Sequence, residues 1–308
     1  MKDSAHIIPV QLPLPRIGVA LGGGSARGYA HIGALNALEK HQLVPDIVVG
    51  TSFGAIIGVL YALGKSVEDI TTFACSQRQQ DLWDIVDFGL HRAALFRGNR
   101  LEGYLDRITE GRHFSDLSRE FVIVATDVDT GQRVNLTQGS LAKALRASSS
   151  LPGIFAPVEI DGRRLVDGGL GSPIPVKTLE DFQVDLAIGI GVGMERQDSA
   201  AIRLALRWLK TDIGQRLHQG MRDSVGGSPL RVLGRALAYT FNSWEGQSIP
   251  EDVWHVQAKP PISWLHFHRA ELAIAAGEQA VEEQISSFKQ AFAALCVPVP
   301  DVDVSADS

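Results

Sequence analysis

Cysteine is scarce: Cys75 and Cys296 are the only two in 308 residues, far apart and with no histidine at metal-ligand spacing. A disulfide framework is excluded, and a reducing compartment is the default. Basic excess is missing too, since 29 Lys and Arg face 35 Asp and Glu for a formal charge of −6. A nucleic-acid binder would show the opposite balance. No apolar run approaches the roughly 18 residues of a membrane-spanning helix. Met1 to Arg16 mixes charges, prolines and short apolar pairs instead of the continuous apolar core of a signal peptide. No Gly-Lys-Ser/Thr follows a glycine loop, and no EF-hand calcium loop is present. The expectation is a cytoplasmic protein with no metal, no cofactor and no nucleic-acid partner. Peripheral membrane contact stays open, and so does a homodimer.

What is present is a strand, a sharp turn and a helix around one serine. Asp46-Ile47-Val48-Val49 runs into Gly50-Thr51-Ser52-Phe53-Gly54, and the apolar stretch Ala55 to Leu63 follows directly. Gly-x-Ser-x-Gly between a buried strand and a helix is a nucleophile elbow, which lifts the serine oxygen above the strand end. Gly50 and Gly54 stand where side chains would collide with the neighbouring strand and helix. The helix N-terminus adds free N–H groups and a positive dipole end beside the serine.

The surrounding pattern predicts an α/β protein. Ile17 to Leu21 reads as a strand, Gly22-Gly23-Gly24-Ser25-Ala26-Arg27-Gly28 as a loop, and Tyr29 to His41 as a helix with Ile32, Leu35 and Leu38 on one face. Repeating strand–loop–helix with helix-length crossovers implies a parallel sheet. Residues 65–119 read as helix and loop. Phe121 to Ala125 is a strand, Thr126 to Gly131 a turn, Val134 to Leu136 a returning strand and Leu141 to Ser148 a helix. Arg164 to Val166 is a strand running into Asp167-Gly168-Gly169, and Leu186 to Val192 is the last clear core strand. Beyond 197, Ile202 to Leu217 is basic and amphipathic, 219–229 is rich in Gly and Ser, Arg231 to Phe241 is helical and Glu271 to Leu295 is one long helix. The expectation is a loose leader over 1–15, a single domain over 16–296 (catalytic core 16–195, helical part 196–296), and a disordered tail over 297–308.

The loop at 22–28 admits two readings. It could cradle a dinucleotide, but the acidic residue that holds ribose is missing where the second strand ends, with Asp46 at its start instead. Alternatively its N–H groups, those of Gly23, Gly24 and Ser25, point at the oxyanion of an acyl intermediate. Arg27 would stiffen this loop or attract an anionic head group. The serine also needs a base. His218, His255, His266 and His268 lie downstream, none in a strand-end loop with turn glycines, and His31 sits among apolar residues of a helix face as a core histidine. Asp167, at a strand end before two glycines, is the better candidate, although an aspartate there is also a common turn former.

Gly-Gly-Gly-x-x-Arg-Gly at 22–28, Gly-Thr-Ser-Phe-Gly at 50–54 and Asp-Gly-Gly at 167–169, in that order, resemble the three signature motifs of the patatin-like phospholipase family. Ala125 to Gly131 and Arg146 to Pro157 also resemble stretches of its bacterial members. The resemblance is strong over 16–195 and loose beyond. It implies a three-layer α/β/α fold with a mostly parallel central sheet and a Ser–Asp dyad without histidine: Ser52 as nucleophile and Asp167 as its activator. It further implies an oxyanion hole from the loop bearing Gly22, Gly23, Gly24, Ser25, Arg27 and Gly28, with the N–H of Phe53 and support from Gly50, Gly54, Gly168 and Gly169. Ser172-Pro173 stands where many bacterial members have Asn-Pro. The implied substrate is a phospholipid or lysophospholipid ester, with Leu151, Pro152, Ile154, Phe155 and Pro157 as an acyl-chain slot or as core packing. Ile202 to Leu217 could rest on anionic lipid or be an ordinary surface helix, the more common case. An acyltransferase, a thioesterase, a regulator with vestigial activity and a nicotinamide-binding dehydrogenase are the alternatives.

Overall fold

The computed structural model describes residues 14–78, 87–91, 94–193 and 249–296. In chain order the strands are β1 (Ile17–Leu21), β2 (Ile47–Thr51), β3 (Phe88–His91), β4 (Ala94–Phe96), β5 (Glu120–Asp127), β6 (Arg133–Leu136), β7 (Gly153–Phe155), β8 (Val158–Ile160), β9 (Arg163–Asp167), β10 (Leu186–Val192) and β11 (Val253–Ala258). The helices are α1 (Ala30–Lys40), α2 (Phe53–Ala62), α3 (Val67–Ser76), α4 (Asn99–Ile108), α5 (Leu141–Ser148), α6 (Ala270–Glu282) and α7 (Ile285–Leu295).

The main sheet runs β11-β10-β1-β2-β5-β9-β8, with β6 also on β5. From β11 to β5 every pairing is parallel, whereas β6, β8 and β9 pair antiparallel. β1, β2 and β5 read as unbroken apolar runs because both of their faces are covered. Val19, Leu21, Val48, Phe121, Ile123 and Ala125 join the large core with the α1, α2 and α6 residues. Ala20, Ile47, Val49, Val122 and Val124 point the other way, against Val176 and Leu179 of the 3-10 segment Val176–Asp181. This is the expected α/β layering, with the first two strands as neighbours.

One detail of register decides where the chemistry can sit. β2 pairs with β5 only as far as Thr51 opposite Val124. On the next β5 residue, Ala125, the partner is Asp167 of β9. β6 holds the other edge of both, pairing Val124 with Asn135 and Ala125 with Val134. β2 and β9 therefore meet end to end along one edge of β5, and Asp167 arrives just past the end of the strand that carries Ser52.

Three expectations need correction. Leu186–Val192 is not the last core strand: β11 continues the sheet in parallel beside it. Its half-buried residues and exposed His255 give Val-Trp-His-Val-Gln-Ala no clean apolar signature. The stretch 65–119 holds strands as well as helices, since β3 and β4 form a small second sheet with β7. Glu271 to Leu295 is two helices, not one, broken around Gln284 at φ −114° and ψ −2°. The break lets Phe288 turn back onto Trp254 of β11, with ring centroids 5.1 Å apart. No glycine or proline marks it. The expected helices at Ile202–Leu217 and Arg231–Phe241, the 219–229 segment, His218, nearly all of the leader and the tail 297–308 lie outside the described residues.

α6 docks tightly on α1. A Cβ on Gly33 would stand 1.9 Å from the Ile274 carbonyl oxygen, and one on Gly277 would stand 1.8 Å from that of Ala30. This crossing carries the C-terminal segment to the glycine loop.

Candidate active site

Ser52 takes φ 52° and ψ −123° at the junction of β2 and α2. A left-handed φ is costly for serine, on the order of 1–3 kcal/mol, and persists only where the surroundings enforce it. The flanking glycines supply the enforcement. A Cβ on Gly54 would fall 2.4 Å from the Gly22 carbonyl oxygen and 2.5 Å from that of Leu21, and one on Gly50 2.5 Å from the Cα of Ala55. The elbow is thus pressed against β1 and the glycine loop.

The Ser52 hydroxyl donates to Asp167 Oδ2 at 2.8 Å. The other carboxylate oxygen, Oδ1, accepts from the Gly169 N–H at 2.8 Å, and the Asp167 N–H donates to Ser150 O at 3.0 Å. Gly168 lets this turn press onto β5, since a Cβ there would meet Val124 O at 2.2 Å. Burial pushes the Asp167 carboxyl up to about 6, and the hydrogen bonds from Gly169 and Ser52 partly offset it. A carboxylate so placed remains ionised at neutral pH, and it is more basic than one in water. The same turn reaches the glycine loop, because Pro173 O accepts the Gly23 N–H at 3.0 Å. Ser172 works through its backbone: its N–H donates to Gly168 O at 2.8 Å and its carbonyl accepts from Thr51 Oγ1 at 3.3 Å.

The glycine loop divides its N–H groups between structure and solvent. Gly22 donates to Ile190 O (3.0 Å), Gly23 to Pro173 O (3.0 Å), Ala26 to Trp264 O (3.0 Å) and Arg27 to Gly24 O (3.2 Å). Gly23, expected as an oxyanion donor, is therefore committed elsewhere, because its N–H ties the loop to the segment after Asp167. Gly22 is committed in the same way, to β10. Among the described residues the N–H groups of Gly24, Ser25 and Phe53 have no hydrogen-bond acceptor. Ser25 also has a left-handed φ, 51°. Gly28 lies against Phe53, where a Cβ would meet the ring at 2.5 Å.

Arg27 is 1% exposed, and its Nε donates to Ile262 O at 2.9 Å. It stiffens the loop and does not reach for a head group in solvent. Beside it Tyr29, Phe53 and Phe267 form an aromatic cluster, with Tyr29 and Phe53 edge to face at 4.9 Å and Phe53 to Phe267 at 5.7 Å. His31 is fully buried, with Nε2 2.7 Å from Gly22 O and Nδ1 without a partner among the described residues. Burial drives its pKa down to about 4, so the ring is neutral and Nε2–H donates to the carbonyl. His31 supports the loop. His255 lies on β11, while His266 and His268 pair with each other near the start of α6, ring centroids 5.5 Å apart.

Leu151, Pro152, Ile154 and Phe155 follow Ser150 directly and are half-buried. Leu151 and Pro152 lie in the turn before β7, whereas Ile154 and Phe155 belong to that strand instead of a free loop, since β4 offers Gly153 and Phe155 a partner. Phe155 packs on Phe96 at 5.8 Å and under the Arg146 guanidinium at 5.3 Å, which makes it core as much as lining. Two further residues escaped the sequence reading. Ser148 Oγ accepts the Ser52 N–H at 2.8 Å, and the buried Arg146 binds the carbonyls of Arg97, Gly98 and Ala156. Their only signal was the dense Arg-Ala-Ser-Ser-Ser-Leu-Pro run, which names no partner. Among the described residues no group of three or more His, Cys, Asp or Glu could hold a metal, and no helix is long and apolar enough to cross a membrane.

Residues 19–179, just over half of the chain, match the profile of the patatin-like phospholipase family. An uncharacterized NTE family protein of Mycobacterium tuberculosis (strain ATCC 25618 / H37Rv) is 34% identical over 178 residues, covering 58% of this chain and 49% of that protein. Lysophospholipase NTE1 of Coccidioides immitis (strain RS) is 30% identical over 196 residues, covering 63% of this chain and 12% of that one. The chain thus spans about half the length of the mycobacterial relative and a small part of the fungal one. Among solved structures, VipD from Legionella pneumophila aligns over 90% of this chain and 68% of its own, at 16% identity and a TM-score of 0.46.

Proposed function

Because the chain belongs to the patatin-like phospholipase family, we propose that it is a serine acyl-ester hydrolase of the phospholipase A or lysophospholipase type, with Ser52 as nucleophile and Asp167 as base. The observation that carries this reading is the 2.8 Å hydrogen bond from Ser52 Oγ to Asp167 Oδ2, made at a serine held in a left-handed turn. Nucleophile and base are within proton-transfer distance, and no histidine shares a hydrogen bond with either among the described residues.

In this mechanism Asp167 takes the Ser52 proton as Oγ attacks the ester carbonyl. The tetrahedral oxyanion is met by the unoccupied N–H groups of Gly24, Ser25 and Phe53, at the N-terminal end of α2. Losing one such donor costs on the order of 3 kcal/mol of transition-state stabilisation. The carbonyl–oxygen bond then breaks, and protonated Asp167 returns its proton to the leaving alcohol. Water attacks the acyl-enzyme with Asp167 again as base, releasing the acid and restoring the Ser52 hydroxyl. Every proton in the cycle passes through one carboxylate.

The lipid class is supported by the name of the fungal relative and by the half-exposed apolar Leu151, Pro152 and Ile154 beside the dyad. We extend the proposal to a protein of the cytoplasm, with residues 16–296 as one catalytic unit, that meets bilayers or micelles from the aqueous side. The test is hydrolysis of a medium-chain p-nitrophenyl ester and a lysophospholipid by wild type, Ser52→Ala, Asp167→Asn and His31→Gln, with a competing alcohol and thiol present. Loss of at least about a thousandfold in the first two variants, but not the third, is the expected result. Equal loss in His31→Gln would put a histidine base in place of the dyad. Acyl transfer outrunning hydrolysis would make the enzyme a transacylase.

A further inference from the structure

We infer that Arg146–Ser150, the end of α5 and the serine run after it, is the positioning element of the dyad, holding the backbone of both Ser52 and Asp167 from one rigid segment. This rests on the reading of those two residues as the reacting pair.

The left-handed Ser52 needs a restraint that β2 cannot supply, because the strand ladder ends at Thr51. The Ser148 hydroxyl supplies it. It accepts the Ser52 N–H at 2.8 Å and donates its own proton to Val124 O at 2.6 Å. Val124 is the residue paired with Thr51, and its neighbour Ala125 is paired with Asp167. Two residues after Ser148, the Ser150 carbonyl accepts the Asp167 N–H at 3.0 Å. A two-residue span of backbone thus fixes the separation between nucleophile and base. Ser148 and Ser150 are both fully buried, so water does not compete for these bonds.

Arg146 locks the span in turn. It is 2% exposed, and its hydrogen bonds go to Ser150 Oγ and to the carbonyls of Gly98 (2.8 Å), Arg97 (2.6 Å) and Ala156 (3.0 Å). Ser150 Oγ donates back to Arg146 O at 2.6 Å. Among the described residues no carboxylate meets this buried guanidinium, whose four hydrogen bonds bracket three segments. One of them, through Ala156 and Phe155, is the apolar strand proposed to line the acyl slot. Ser148 and Arg146 touch no reacting atom, so their effect on turnover runs through the aim of Ser52 at Asp167 and at the ester carbonyl.

The test compares Ser148→Ala, Ser148→Cys, Arg146→Lys and Ser52→Ala, each assayed well below its own melting temperature. It reads kcat, KM, the rate of Ser52 phosphonylation by a fluorophosphonate, and the acid limb of the pH profile. Burial raises the Asp167 carboxyl, and the Gly169 N–H and the Ser52 O–H lower it. Ser148→Ala is expected to lower kcat and phosphonylation in parallel by about thirtyfold, with KM within about twofold. Its acid limb should move to higher pH as the Ser52 hydrogen bond to the carboxylate weakens. Ser148→Cys, with a poorer acceptor, should fall in between, and it carries the comparison if the alanine variant does not fold. Arg146→Lys should lower both rates about tenfold. Variants that melt earlier yet keep wild-type kcat, phosphonylation rate and acid limb would overturn the proposal and leave Arg146–Ser150 as packing alone. Turnover surviving Ser52→Ala would instead overturn the nucleophile assignment on which it stands.

Discussion

Two turns of this molecule are built alike and are held differently. β1 passes through Gly22–Tyr29 into α1, and β2 passes through Ser52 into α2, on adjacent parallel strands. Each turn forces a serine into a left-handed conformation, Ser25 at φ 51° and Ser52 at φ 52°. The first is tied by main-chain bonds to remote carbonyls, those of Ile190, Pro173 and Trp264, and by Arg27 to Ile262. The second is tied by side chains, Ser148 on its amide and Asp167 on its hydroxyl. The first turn leaves N–H groups over, and the second presents a hydroxyl. Strain of the same kind thus leaves free N–H groups in one place and presents a hydroxyl in the other, the proposed oxyanion cradle and the proposed nucleophile, according to which atoms the neighbours leave unsatisfied.

Removing the strain from each turn separates the two roles most sharply. Ser25→Gly should stabilise the fold by about 1 kcal/mol, since glycine adopts this φ freely, whereas Ser52→Gly relieves the same strain but loses the hydrogen bond to the buried Asp167 carboxylate and should be no more stable than wild type. Ser52→Gly should lose at least about a thousandfold in kcat, whereas Ser25→Gly, which keeps its N–H, should lose at most about tenfold. Paired melting curves and ester assays check both halves.

Fusing the turns' fates is the next largest effect. Gly54 is where the elbow presses on the backbone of β1 and the loop, so Gly54→Ala must push β1 and the Gly22 carbonyl away. A loss of about a hundredfold in kcat and about 3 kcal/mol in stability is expected, from overpacking against backbone that cannot yield. Arg27→Met should act on the first turn alone. It frees the loop from Ile262, and kcat should fall about tenfold with KM little changed. Phosphonylation of Ser52 should slow in step, because that reaction uses the same cradle.

The remaining effect is on pH. The Asp167 carboxyl is raised from 3.8 to about 6, so between those values the folded chain holds a proton that the unfolded chain has released. Stability from this group is greatest at acid pH and is lost as pH climbs through about 6. On the proposed mechanism activity runs the other way, because only the carboxylate can accept the Ser52 proton, and kcat/KM should fall below about pH 6. Asp167→Asn should therefore be inactive yet more stable than wild type by about 2 kcal/mol at pH 8, with no gain at pH 4. His31 opposes this trend. Its pKa is lowered to about 4, so its contribution is present above about pH 6.5 and is lost as pH falls through 4.

The sequence made the β1–loop–α1–β2–elbow–α2 unit legible because its signals are local. Apolar runs mark strands buried on both faces, Gly50 and Gly54 mark a turn, and Leu141–Ser148 was bounded correctly, its capping serine Ser140 accepting from the Lys143 N–H. Ser52 and Asp167 were both named, and the fold brings them into hydrogen-bond contact. What stayed hidden is pairing at a distance. Arg27 meets Ile262 across 235 residues, and Ser148 meets Ser52 across 96. The commitment of the Gly23 N–H to Pro173 depends on the turn after Asp167, which no spacing rule foretells. β11 escaped because a half-exposed strand mixes polar with apolar residues, and the break between α6 and α7 escaped because it carries no breaker residue.

Intact mass and peptide mapping after exposure to a long-chain alkyl fluorophosphonate test the central claim most directly. The account predicts one adduct per chain, on Ser52, absent in Ser52→Ala and formed at least about a hundredfold more slowly in Asp167→Asn, whose side chain cannot take the proton. An adduct on another residue, or labelling of Ser52 at an unchanged rate in Asp167→Asn, would contradict the dyad.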